Sequence, residues 1–215
     1  MGITSFKLPI LALVATALAM TSAASGSTID PSVVFTLGNH PQPGEENVVL
    51  NKGTTGTTLF GQTNMTHLPV QFTSTQTLIE PASGQARVEA TSGGLTNITI
   101  SAPGHTFGDL IMNPDVTGTV GTPGGRLDVS VTDIHGQVFV FAYTLGHGSN
   151  FITITTTGGD SILSTTLQYS LAGGFTDLRQ IRISGLTVIP EPGTLSLFGT
   201  GLLGLAGLFR KHFPT

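Results

Sequence analysis

The chain has 215 residues, a net charge of −4 and no cysteine, so neither a disulfide nor a thiol nucleophile or ligand belongs to its chemistry. Charged residues make up 9% of it, against about 25% in ordinary domains. Residues 25–188 hold five Lys and Arg against eleven Asp and Glu, a balance that excludes a nucleic-acid binder, which needs clustered cations.

Taken in chain order, the first element is an export signal. Lys7 supplies the positive start, and Leu8 to Met20 is an apolar run too short to span a bilayer comfortably. Ser22 and Ala24 then stand three and one before a cleavage point after Ala24. Residues 1–24 are expected to form a helical signal peptide.

Residues 25–188 read as the body. Threonine is commoner there than any charged residue, and with 29 glycines in the chain it points to strands divided by turns rather than to disorder. Pro41-Gln42-Pro43-Gly44-Glu45-Glu46 is a polar loop. Ala86 to Ala90, Leu127 to Thr132 and Ile152 to Thr155 alternate apolar and polar side chains, as half-buried strands do. Gln137 to Tyr143 is apolar on both faces and is expected to be a central, covered strand. Ile181-Arg182-Ile183 is expected to close the domain. Ile134-His135-Gly136 predicts a hairpin, Gly146 to Asn150 and Gly158-Gly159-Asp160 predict turns, and Asn113-Pro114-Asp115 and Gly121 to Gly125 predict breaks. The expected fold is all-β, an antiparallel β-sandwich or jelly-roll-like body of roughly 165 residues, large enough to bury about 70% of its unfolded surface.

The tail, residues 189–215, follows a different logic. Pro190-Glu191-Pro192 resists helix and ladder alike and keeps the chain extended, a form that a protease cleft accepts. A transmembrane helix is expected at about 194–209, with Ser196 and Thr200 as the polar side chains between Leu195 and Phe209. Arg210 and Lys211 follow and would stay on the cytoplasmic side. In order and spacing this tail resembles the PEP-CTERM sorting signal of exported proteins in Gram-negative bacteria. The resemblance implies recognition by an exosortase-type membrane transpeptidase, an inner-membrane-tethered precursor, and then a cell-surface or extracellular protein linked to exopolysaccharide or biofilm. The segment from Asp133 to Gly185 is also similar to the final strands of small sandwich domains in other proteins with such tails, a likeness that rests on Gly174 to Gly185.

Residues with chemical potential are scattered. His40, His67, His105, His135, His147 and His212 include no pair at metal-ligand spacing. Asp109, Asp115, Asp128, Asp133, Asp160 and Asp177 are candidate oxygen ligands for a structural calcium ion, without a calcium-loop pattern; no other cofactor or metal is expected. Glu80 and Glu89 would be the carboxylates of a surface glycoside hydrolase, but no catalytic motif accompanies them, and an enzyme is not expected. Sugar binding is the stronger alternative. Trp is absent and Tyr143 and Tyr169 are the two tyrosines, so a lectin-like module would have to bind through polar loops. Asn64-Met65-Thr66 and Asn97-Ile98-Thr99 match the glycosylation triplet by chance.

Overall fold

The computed structural model describes residues 32–117, 124–171 and 173–189. The signal peptide with Ala24, the motif Pro190-Glu191-Pro192, the expected membrane helix at 194–209 and Arg210 with Lys211 lie outside the described residues. The described residues are all-β: they contain no helix, hence none long and apolar enough to cross a membrane.

The strands are β1 (Val33–Leu37), β2 (Glu46–Leu50), β3 (Thr55–Thr63), β4 (Pro69–Ile79), β5 (Gly84–Gln85), β6 (Arg87–Ala90), β7 (Asn97–Ser101), β8 (His105–Thr106), β9 (Asp109–Val116), β10 (Arg126–Asp133), β11 (Val138–Thr144), β12 (Gly148–Ser149), β13 (Ile152–Thr156), β14 (Ile162–Tyr169), β15 (Asp177–Ser184) and β16 (Thr187–Val188). A first sheet runs β1-β13-β9-β15, and a second runs β3-β4-β7-β14-β10-β11. β2 pairs antiparallel with β15 of the first and β3 of the second. β6 likewise joins β15 to β4. These two strands carry the chain around a corner. At the opposite ends of the path, Phe35 of β1 stacks on Phe141 of β11 with ring centroids 5.0 Å apart. The strand path therefore turns back on itself around one interior.

Alternation fills that interior. One inward row of the second sheet is Leu59, Phe72, Ile100, Thr165 and Val131 in register. Its counterpart in the first sheet is Ile154, Leu110 and Ile183. Side chains from both sheets form one buried cluster, which without disulfides must supply the stability by apolar burial. β6, β10 and β13 lie where the alternation predicts them, and residues 134–136 turn the β10–β11 hairpin.

Three expectations need correction. Gln137 to Tyr143 is not a central strand: β11 is the outer strand of its sheet, with Val138 59% and Val140 62% exposed. Asn113-Pro114-Asp115 is no break but the buried end of β9, a strand paired on both sides. Proline there costs no ladder bond because it faces a gap in the pairing. On the side of β12 and β13 the pairing skips Pro114, and Asn150, between those two strands, bonds the Pro114 carbonyl through its side chain. Glu46, read as loop, opens β2 with its side chain buried. Ile181 to Ile183 belongs to β15, the last strand of the two sheets in chain order, paired with β9 on one side and with β2 and β6 on the other.

Candidate functional site

The tail leaves the body at a defined place. β15 ends at Ser184, whose hydroxyl donates to the Asp109 carboxylate. Gly185 then takes φ +63°, and a Cβ there would lie 3.0 Å from the Gly108 nitrogen. Only glycine combines that left-handed turn with so close a crossing. Leu186 returns to pack on the core. β16 pairs with β8, Thr187 opposite Thr106 and Val188 opposite His105, and the Ile189 N–H donates to the Gly104 carbonyl at 3.0 Å. Val188 is 65% exposed. The next residue, Pro190, has no N–H with which to extend a ladder.

A charged network sits where β6, β9 and β15 meet. Arg87 holds Asp177 at 2.9 Å and Glu89 at 2.8 Å, and Arg179 holds Asp115 at 2.7 Å. Asp177 is wholly buried, and burial raises its carboxyl above the usual range despite Arg179 and Arg87 beside it. Glu80, also wholly buried, accepts from the Ala82 and Arg87 amides, and burial raises its carboxyl as well. Each side chain of this network is engaged with protein partners, and its geometry is that of a structural clamp.

The outer faces of the two sheets differ. The loop from Gly38 to Glu45 covers the first: the His40 amide donates to Thr153 Oγ1 at 3.1 Å, Arg182 bonds Glu45 at 2.8 Å, and Ile111 beneath is fully buried. The second sheet carries rows of uncharged hydroxyls across successive strands. One is Thr58, Thr73, Thr99, Thr166 and Ser130; the next contains Gln71, Ser101, Ser164 and Thr132. Thr99 and Thr166 hydroxyls are 2.8 Å apart.

The family model for the PEP-CTERM protein-sorting motif matches residues 188–211. The chain carries a PEP-CTERM sorting signal. Neither a curated protein nor a solved structure matches the chain. The motif implies export and processing by an exosortase, a membrane protein. Within the described residues it begins at Val188 and Ile189, so β16 is the point at which the β body gives way to the PEP-CTERM tail.

The remaining candidates do not converge. Among the described residues no group of three or more His, Asp or Glu gathers to hold a metal. His40 and His105 bond the Leu37 and Pro103 carbonyls, His67 meets Gln62, and His135 lies in the exposed hairpin turn; His147 is half-buried, and His212 lies outside the described residues. Asp133 accepts the His135 and Gln137 amides within the hairpin, Asp128 pairs with Arg126 at 2.6 Å, and Asp160 accepts the Ser161 amide. Tyr169 is buried edge-on to Phe175 and Tyr143 packs against the core, so neither offers an open sugar platform. Asn64-Met65-Thr66 forms the β3–β4 turn. Sequence reasoning missed the hydroxyl rows: the alternation was visible strand by strand, but the register that aligns them was not.

Proposed function

We propose that this protein is exported, tethered in the inner membrane by its tail, and freed or transferred by an exosortase-type transpeptidase to the cell surface or extracellular matrix. Its body acts there without catalysis, as a structural or interaction partner of exopolysaccharide in a biofilm. The match of residues 188–211 to the sorting motif carries the reading. The exposed exit through β16 supports it, since a processing enzyme needs an extended substrate outside the folded body. The uncharged hydroxyl rows support a neutral polymer as partner. The body is a β-sandwich of jelly-roll type, and the segments flanking it are a signal helix and a membrane helix.

The reading is tested by the double substitution Pro190→Ala and Glu191→Ala in the full chain, followed by fractionation of membranes, cell surface and medium. The body is expected to remain in the membrane fraction. Release equal to that of the wild type would overturn the sorting mechanism.

A further inference from the structure

We propose that the cavity between the Asn39 loop, β2, β5 and β15 is a binding subsite for one neutral pyranose ring of a polysaccharide. This deepens the polysaccharide part of the reading above and is independent of the sorting part. The cavity measures about 250 Å³ and is lined by Asn39, Asn47, Gln85, Phe151, Gln180 and Arg182. That is smaller than the ~300–1,000 Å³ of sites for drug-sized ligands, which fits a single ring. Asn39, Asn47, Gln85 and Gln180 are exposed, so the cavity opens to solvent.

The hydrogen-bond inventory fixes what the cavity offers. Arginine can only donate, so the Asn39 side chain meets Arg182 through its oxygen and its NH₂ is left over. Asn113 accepts the Asn150 amide, so its other side-chain atom is the nitrogen, and the Gln180 atom 2.6 Å from it must be the oxygen. The Gln180 NH₂ is therefore left over too. Gln85 and Asn47 bond each other at 3.0 Å, which leaves one NH₂ and one oxygen between them whichever way the amides are turned. The cavity thus presents three amide donors and one amide acceptor, with Phe151 as its apolar member. Neighbouring hydroxyls of a sugar both donate and accept, and the C–H side of the ring suits the apolar wall.

Charge selects the class further. The Arg182 guanidinium is already paired with Glu45 at 2.8 Å, so an anionic ligand would find no unbalanced cation. Backbone geometry also singles out Gln180. It lies in the register shift of β15 at φ +54°, a conformation that glycine adopts freely and glutamine does not. A side chain held in strained backbone at a cavity wall is the kind of outlier from which function is argued.

Isothermal titration of the full chain in detergent tests the proposal, with methyl β-glucopyranoside, methyl α-mannopyranoside, methyl β-galactopyranoside and sodium glucuronate as probes. At least one neutral glycoside is expected to saturate with Kd on the order of 1 mM, with glucuronate no tighter. Gln180→Gly removes one donor, so affinity should fall about tenfold; in stability, relief of the φ +54° backbone is set against loss of the hydrogen bond from Asn113, which keeps Ser149 as a partner. Asn39→Ala should weaken binding similarly, and it carries the test alone if Gln180→Gly does not fold. The proposal is overturned if no neutral glycoside binds, if glucuronate binds tightest, or if the folded variants bind as the wild type does. None of these results depends on whether the tail is processed.

Discussion

Glu46 shows how one buried carboxylate closes a hairpin. Its Oε2 accepts the Met65 amide at 3.0 Å and the Thr66 amide at 2.8 Å, and its Oε1 accepts the Thr66 hydroxyl at 2.8 Å. Burial alone would raise its pKa, but these hydrogen bonds outweigh burial and the net direction is down. A depressed carboxyl stabilises the fold above its unfolded pKa, and that contribution is lost as pH falls through the folded one. Glu46→Gln should therefore cost about 1–3 kcal/mol at neutral pH, with the cost shrinking in acid, as urea unfolding at the two pH values would read. Glu80 and Asp177 carry the opposite sign. Their raised carboxyls contribute most below their unfolded values and lose that contribution as pH rises through the folded ones. Thr165 faces the interior with a hydroxyl that has no hydrogen-bond partner. Thr165→Val keeps the branched shape and removes the orphaned group, so it should raise stability by about 1 kcal/mol; a loss in the same measurement would mean that the hydroxyl is satisfied.

At the scale of elements, the difference between a covered strand and an edge strand is measurable. Val140 points outward from β11, the outer strand of its sheet. Val140→Lys should change stability by no more than about 0.5 kcal/mol, whereas an unpaired cation in a covered strand would cost several kcal/mol. Chemical denaturation separates the two. The apolar run from Val138 to Tyr143 shows why this was not legible in sequence: Phe139, Phe141 and Tyr143 pack inward, and nothing local says that Val138 and Val140 meet no second layer. Alternation did identify β6, β10 and β13, because a side chain's face is a local property. Pro114 was misread because its tolerance depends on the gap between β12 and β13, which are distant from it in sequence. The cavity around Gln180 was illegible for the same reason: its polar residues come from separate segments and form no motif. Gly185 was legible only as the last residue of the likeness from Gly174 to Gly185, because its turn depends on the distant Gly108. Gly185→Ala should cost about 1–3 kcal/mol, read as a lower unfolding midpoint, because both its φ and its contact with Gly108 exclude a side chain without strain.

Across the whole molecule, closure and sorting divide the chain's tasks. Closure depends on distant residues meeting: the Phe35–Phe141 stack joins the first strand described to the outer strand of the other sheet. Sorting depends on a contiguous stretch, which is why residues 188–211 were recognisable from sequence while the topology was not. This division makes a quantitative prediction. The last backbone hydrogen bond of the described body is that of Ile189 to Gly104, and Pro190 and Glu191 follow it in the sequence. The sorting variant should therefore unfold within about 0.5 kcal/mol of the wild type, even though its release from the membrane is abolished. Gly185→Ala should do the reverse, weakening the body while the motif remains intact. Unfolding and fractionation measured on both variants give a crossed pattern if fold and address are separable at β16. A sorting variant that is destabilised by more than that margin would mean that the tail helps to hold the body together, and loss of release could then no longer be assigned to the motif.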